Sequence, residues 1–384
     1  MPLSLPALSP LASPAGPGSA EPNLALTASG ELLLSWIEPG GREKHALRFA
    51  SRRPGNPWSE LRTISEGSDW FVNWADFPAM ASLPNGTLFA HLLAKRPGGT
   101  FAYDVRVMRS TDGGATWGAP LTPHGDGVAA EHGFVSFFPR DQDRLGLVWL
   151  DGRYLKPGGH SEEGGMALMA ASLSAAGPAR EETLVDRLVC SCCQTSAAVT
   201  DQGVIVAYRD RTEQEIRDIA VVRWTAGRWS EPQIVGQDGW EINACPVNGP
   251  AVAANGKRVA LAWFGAPMDQ AKVSVVFSED AGVNWGRPVR IDGGKPLGRV
   301  DAVLLAGGDA LVSWMEQAEA GTEIRVRRVT STGRLGPPLL VADSSAARSA
   351  GFPRMERVGQ EVVFAWTAPG EASQVRTTVL APSE

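Results

Sequence analysis

The sequence predicts an all-β fold of four-stranded antiparallel blades closed into a ring, a β-propeller, and three observations carry that prediction. A short apolar strand ending in Trp or a substitute recurs seven times, each copy sits in the same frame of strands and turns, and the copies account for nearly all 384 residues. The copies are ELLLSWIE (31–38), TLFAHLLAK (87–95), RLGLVWLDGR (144–153), VIVAYRDR (204–211), RVALAWFGA (258–266), ALVSWMEQ (310–317) and EVVFAWTA (361–368). Aligning Trp36, His91, Trp149, Tyr208, Trp263, Trp314 and Trp366 gives steps of 51 to 59 residues.

The other elements follow from that frame. A strand precedes each copy, a loop follows it, and a third strand comes next, such as DVRVMRS, IAVVRW, VSVVFS or IRVRRV. A turn and a short fourth strand close the unit. Strands this rich in Val, Ile, Leu and Trp cannot bury both faces alone, so neighbouring blades must stack and the ring must close. The seventh copy runs out after QVRTTVLAP, one outer strand short, and N-terminal residues are expected to supply it. The expected organisation is a Pro/Ala/Ser-rich segment over 1–22, a trimmed leader or the closing strand, followed by a single propeller domain over 23–384. The first 20 residues hold five Pro and no Lys or Arg, unlike the basic start and unbroken apolar core of a signal peptide.

Composition narrows the function classes. Against 42 acidic residues stand 36 basic ones, a net charge of −6 with no basic run, which argues against nucleic-acid binding. An anionic ligand would need a local basic site. No stretch approaches the roughly 18 apolar residues of a membrane helix, so no membrane span is expected.

The turn between third and fourth strands carries a motif twice. It reads Ser110-Thr-Asp112-Gly-Gly114-Ala-Thr-Trp117 and Ser278-Glu-Asp280-Ala-Gly282-Val-Asn-Trp285, or S-x-D-x-G-x-x-W. The Asp can accept backbone N–H groups across the turn, the Gly can turn left-handed and the Trp can plug between blades. Ser51, Gly55 and Trp58 keep the spacing, with Arg53 in place of the Asp. These turns resemble the Asp-box (BNR) repeats of the sialidase superfamily. The resemblance implies an exported (periplasmic or secreted), glycan-directed protein, an exo-glycosidase that needs no cofactor. It also brings a six-bladed ring as the alternative to the seven counted.

A propeller places these turns on one face and collects on the other the loops between blades and those after each second strand. On that opposite face lie 68–77, 123–134, 151–165, 189–195, 208–218, 238–250, 298–301 and 349–355, with all four Cys and three of the five His. A sialidase-like site there implies an Arg clamp for a carboxylate, a Tyr nucleophile activated by Glu, and an Asp acid/base. The residues offered for these roles are Arg209, Arg211, Arg299 and Arg354; Tyr208 or Tyr154 with Glu241; and Asp76. The opening Phe/Tyr-Arg-Ile-Pro of such enzymes is absent, and its nearest echo is Phe352-Pro353-Arg354-Met355. Tyr208 reads first as a core aromatic at the packing Trp position, and Arg209 to Arg217 equally as a solvated loop of Arg and acid pairs.

Cysteine forms a second constellation, Cys190-Ser-Cys192-Cys193 in one loop and Cys245 in the next interblade loop. Thiolates at this density suit copper or zinc, with His132, His124 or Met268 as further ligands. Two other readings stand beside it: a disulfide, Cys190 to Cys245 or Cys192 to Cys193, and inert buried thiols. The alternative function is therefore a non-catalytic periplasmic propeller that binds a thiophilic metal or a protein partner through its Cys-rich loops. His91, at the packing position of a strand, reads as a satisfied core histidine. Trp70, Asn73, Trp74 and Asp76 would suit a sugar-stacking wall or a plug in the central channel.

Overall fold

The apolar runs that recur in the sequence form the second, most buried strand of every blade, as in Leu32–Pro39, where the first six residues are all buried. The computed structural model describes residues 3–155, 164–174 and 181–381. Within them seven antiparallel sheets are arranged blade by blade. Blade 1 comprises Ala20–Leu26, Leu32–Pro39, His45–Arg52 and Arg62–Gly67. Blade 2 has Met80–Ser82, Leu88–Lys95 and Tyr103–Ser110, its fourth position reduced to one bridge between Val107 and Leu121. Blade 3 is His132–Pro139, Arg144–Asp151, Met166–Ser174 and Thr183–Val189. Blade 4 is Ser196–Thr200, Gly203–Arg209 and Ile219–Thr225, with Arg228–Trp229 and Gln233–Gly236 sharing its outer edge.

Blade 5 is Ala251–Asn255, Arg258–Gly265, Lys272–Ser278 and Val289–Arg290, and blade 6 is Pro296–Leu304, Ala310–Ala318, Gly321–Val329 and Leu339–Ser344. Blade 7 takes Arg354–Val358, Glu361–Ala368 and Gln374–Leu380 from the C-terminal end and Leu8–Leu11 from the N-terminal end. Leu8 pairs with Leu380 and Leu11 with Thr377, so the outer strand that the sequence leaves missing comes from the other end of the chain. The blade number is seven, not six. No helix among the described residues is long and apolar enough to cross a membrane.

The core is divided into packets, each lying between successive blades. Trp36 of blade 1 packs with Val363 and Val375 of blade 7. In the same way Trp149 packs on Phe89 and Val105 of blade 2, Trp263 on Ile205 and Val221 of blade 4, and Trp314 on Ala260 and Val275 of blade 5. Each indole must also satisfy its N–H once buried. Trp36 donates to Glu38 at 2.7 Å, Trp149 to Asp151 at 2.7 Å, Trp314 to Glu316 at 2.9 Å and Trp263 to Asp238 at 2.8 Å. Because the acceptors of Trp36, Trp149 and Trp314 lie two residues on, on the same strand face, W-x-D/E carries both the packing and its polar partner.

The two S-x-D-x-G-x-x-W turns are closed as their residues predict. Asp112 accepts Ser110 Oγ at 2.7 Å and the Thr116 amide at 2.9 Å, and Asp280 accepts Ser278 Oγ at 2.8 Å and the Asn284 amide at 2.8 Å. These bonds hold both carboxyls below the usual carboxylate range. Gly114 (φ 85°) and Gly282 (φ 81°) are left-handed, and a Cβ there would overlap Phe49 or Ile205 of the preceding blade. The inner strands are tied around the channel by side chains that reach the next blade's backbone. Asp76 accepts Phe134 N at 2.7 Å, Gln194 accepts Gly249 N at 3.1 Å, Asn248 accepts Arg299 N at 2.7 Å and Asp301 accepts Met355 N at 2.8 Å.

Candidate functional site

The face opposite the S-x-D-x-G-x-x-W turns brings the four cysteines together. Cys190, Cys192 and Cys193 follow Thr183–Val189, the last strand of blade 3, and Cys245 lies in the loop that leads into blade 5. All four are free thiols. Cys190 Sγ stands 3.3 Å from Cys193 Sγ and 3.9 Å from Cys192 Sγ, and the three sulfurs lie within 4.8 Å of one another. Cys192 in turn hydrogen-bonds Cys245. These spacings exceed a disulfide bond and bracket the separation of sulfurs that share one tetrahedral metal, about 3.8 Å for bonds of about 2.3 Å.

The electrostatics favour thiolate on two of the four. Burial alone would raise the Cys190 thiol. Hydrogen bonds from Cys192 and Cys193, with the Arg217 and Arg209 charges, outweigh it and hold that thiol well below its usual value. Arg217 Nη1 lies 3.5 Å from Cys190 Sγ and its Nη2 donates to Glu215 at 2.8 Å. Cys193, buried and beside Cys190, is pushed up to about 12, and its sulfur accepts the Asn248 amide at 3.4 Å. Cys192, donor to its neighbours, is raised further. The exposed Cys245 is lowered to about 6, chiefly by the hydrogen bond from Cys192. Because thiolate is the nucleophile, alkylation of Cys245 in the folded, metal-free protein should reach half its maximal rate near pH 6 and rise with pH through that point, where an ordinary thiol needs about pH 8.5. Mass spectrometry of iodoacetamide-treated protein across pH 5 to 9 checks this, with Cys190 and Cys193 left unmodified.

Each of the residues offered for a carboxylate clamp is engaged by partners within the chain. Arg209, 2 % exposed, donates to the carbonyls of Asn248 (3.1 and 2.8 Å), Arg217 (2.6 Å) and Phe264 (2.6 Å), and its guanidinium stacks on Trp240. Arg299 is likewise committed to the carbonyls of Ala346, Ala347 and Gly351 and lies over Trp74. Arg211 forks onto Glu215, and Arg354 faces Asp301 at 3.4 Å and the Phe77 ring. Tyr208 fills the packing position in the core, and its hydroxyl donates to Asp186 at 2.6 Å, so Glu241 is not its partner. Glu241 is exposed beside Ile216, to which its backbone bridges. Tyr154 carries the Arg187 guanidinium over its ring at 3.8 Å, and the neighbouring 156–163 lies outside the described residues. His91 accepts the Ala79 amide at 3.2 Å and is lowered to about 3 by burial, a core histidine.

Asp76 has partners that the sequence does not single out. Tyr103 donates to Glu131 Oε1 at 2.7 Å and to Asp76 Oδ2 at 3.2 Å, so one hydroxyl bridges two carboxyls. Burial raises Asp76 to about 7, against the opposing bonds from the Phe134 amide and Tyr103. Burial raises Glu131 to about 8, with the Asp76 and Cys245 charges adding to it. Gly133 is required beside them, because a Cβ there would overlap Asp76 Oδ2. Tyr103 opens a third strand and Glu131 precedes the inner strand of blade 3. Only the run Glu131-His132-Gly133 at a blade entrance is a signal for either in the sequence.

His132 does not join the sulfurs. Its ring stacks on His124 at 3.8 Å and 2°, among Asp104, Asp126 and Asp151. Met268, 88 % exposed with φ 52°, sits in the loop after the second strand of blade 5.

Fold and site together define a class: a seven-bladed β-propeller whose loop face carries clustered thiols. No family model matches the sequence, and no curated protein matches it. Solved structures match its fold. A protein of unknown function from Dyadobacter fermentans is 14% identical, with 98% of this chain and 97% of that chain covered and a TM-score of 0.56. An α-L-arabinofuranosidase from Fusarium graminearum in complex with an iminosugar inhibitor is 14% identical, with 98% of each chain covered and a TM-score of 0.52. An α-L-arabinanase from Penicillium chrysogenum complexed with arabinobiose is 12% identical, with 98% and 99% covered and a TM-score of 0.50. At these identities the likeness is one of fold.

Proposed function

We propose that this propeller binds a thiophilic metal ion, Cu(I) or Zn(II), through Cys190, Cys192, Cys193 and Cys245. One observation carries the reading: sulfurs from two interblade loops meet, three of them within 4.8 Å of one another and the fourth hydrogen-bonded to Cys192. Soft thiolates select such ions, and a four-sulfur set closes a structural rather than an open coordination sphere. Arg209 and Arg217 act as outer partners that balance the negative charge of a metal–thiolate cluster. Export, to the periplasm or beyond, belongs to this proposal and is tested by fractionation of the full-length precursor.

Elemental analysis of protein purified without chelator, with thiol counts under native and denaturing conditions, is the deciding experiment. About one equivalent of copper or zinc, with thiols titratable only after denaturation and chelation, supports the reading. Metal-free protein that takes up no added Cu(I) or Zn(II) overturns it.

A second reading, glycan-directed hydrolysis, is favoured by Asp76, Tyr103 and Glu131. A carboxyl that stays protonated near neutral pH can give its proton to a leaving-group oxygen. With Glu131 near 8 as that acid, cleavage of a fluorogenic glycoside should fall as pH rises through about 8, and Glu131→Gln should lower kcat by about 100-fold or more. A panel of arabinosides and sialosides with no turnover removes this reading.

A further inference from the structure

The geometry points to a second cation site, built from His132, Asp126 and Asp151 with His124 and Asp104 beside them, for a borderline divalent ion held by nitrogen and oxygen. It is separate from the thiols and independent of what they bind. The ring nitrogens and carboxylate oxygens fall into two trios, Asp126–His132–Asp151 and Asp104–His124–His132, each with its ligating atoms within 4.8 Å of one another. His132 belongs to both.

Three features select a cation over an ordinary ion-pair network. The first is how His132 is aimed. Its Nδ1 lies 3.1 Å from both the Tyr103 and Ala130 carbonyls, which can only accept, so Nδ1 carries the proton. Nε2 then faces Asp126 Oδ2 at 3.1 Å and Asp151 Oδ1 at 3.7 Å. A histidine pinned through one nitrogen to main-chain carbonyls, with the other turned toward carboxylates, is the arrangement that orients an imidazole on a metal.

The second feature is spacing. His124 Nδ1 stands 3.4 Å from Asp126 Oδ1 and His124 Nε2 3.8 Å from Asp104 Oδ1. Most of these contacts are long for hydrogen bonds, and they approach the separation of co-ligands, about 3.0–3.4 Å for bonds of about 2.1 Å. The third is an unmet acceptor. The Asp126 side chain is 7 % exposed, yet its buried Oδ1 has no hydrogen-bond partner.

The surrounding charges are Arg153, which forks onto Asp151 and reaches Asp126 at 3.4 Å and Glu182 at 2.9 Å, and Arg96 and Arg106 on Asp104. Four carboxylates face three guanidinium groups, leaving one negative charge. Trp149 Nε1 holds Asp151 from behind. Zn(II), Co(II) and Mn(II) accept this mixture of imidazole and carboxylate, whereas Cu(I) prefers the sulfurs.

Co(II) titration of the full chain tests the site, because thiolate ligation gives intense near-ultraviolet charge-transfer bands and nitrogen–oxygen ligation gives only weak visible ones. In protein with all four Cys replaced by Ser, one equivalent of Co(II) or Zn(II) should still bind. Asp126→Asn should weaken that binding by at least about 100-fold, because losing a ligand costs no less than the upper end of what losing an outer partner costs a metal site. If the four-Ser protein does not fold, wild-type protein with its thiols blocked by Cu(I) serves instead. Absence of nitrogen–oxygen bands and of ion uptake in either protein overturns the proposal. Equal affinity in Asp126→Asn overturns it as well.

Discussion

Cys192→Ser is expected to weaken binding of Cu(I) or Zn(II) at the thiol cluster by about 100-fold while leaving the fold intact. Cys192 links the buried pair to the exposed thiol: its sulfur is 3.9 Å from Cys190 and it donates to Cys245. Structural zinc sites contribute about 10–16 kcal/mol in all, so one sulfur of four carries about 3 kcal/mol, a factor of about 100. The hydroxyl is shorter than the thiol and a poor ligand for a soft ion. Cys192 is half-buried in a loop and outside the strand ladder, so the metal-free melting temperature should hardly move. A second readout follows from the same bond. In Cys192→Ala, which removes that donor altogether, the Cys245 thiol should return toward its ordinary value, and its alkylation midpoint should move from near pH 6 to higher pH. Competition against a chelator of known affinity measures the first effect and iodoacetamide labelling the second. Unchanged metal affinity would remove Cys192 from the site.

Arg209→Met is expected to destabilise the protein by about 3–6 kcal/mol. The guanidinium satisfies the carbonyls of Asn248, Arg217 and Phe264, and the side chain is 2 % exposed. Met fills a similar volume but donates nothing, so three buried carbonyls lose a partner at about 1–2 kcal/mol each. Chemical denaturation would read this as a lower midpoint with an unchanged slope. A clamp residue for a substrate would behave differently, with stability kept and ligand binding lost. Removing Arg209 should also raise the Cys190 thiol, since its charge helps to lower it.

The contrast between Arg209 and the cysteines shows what a sequence exposes and what it hides. Repeat spacing made the blades legible because each blade buries the same face against its neighbour, which forces Trp36, Trp149, Tyr208, Trp263 and Trp314 into register. The cysteines were legible because thiol density is rare and both loops had to fall on one face. Arg209, Arg299 and Tyr208 were misleading, since a side chain that could grip a ligand can equally cap carbonyls or a carboxylate. Only their neighbours decide: Asn248, Gly351 and Asp186 lie 39, 52 and 22 residues away in the chain.

Local sequence therefore determined the strand pattern, the seven-fold count, the motif turns and the face on which chemistry would gather, because strand pleat and turn geometry are set by near neighbours. Tertiary structure decided which of the N-terminal residues close blade 7, namely Leu8–Leu11. It also decided that Tyr103 bridges Asp76 to Glu131, and that His132 faces Asp126 rather than the sulfurs. Those pairings depend on which inner strand and loop stand next to each other around a closed ring. Closure sets that adjacency across the whole chain, and no local pattern encodes it.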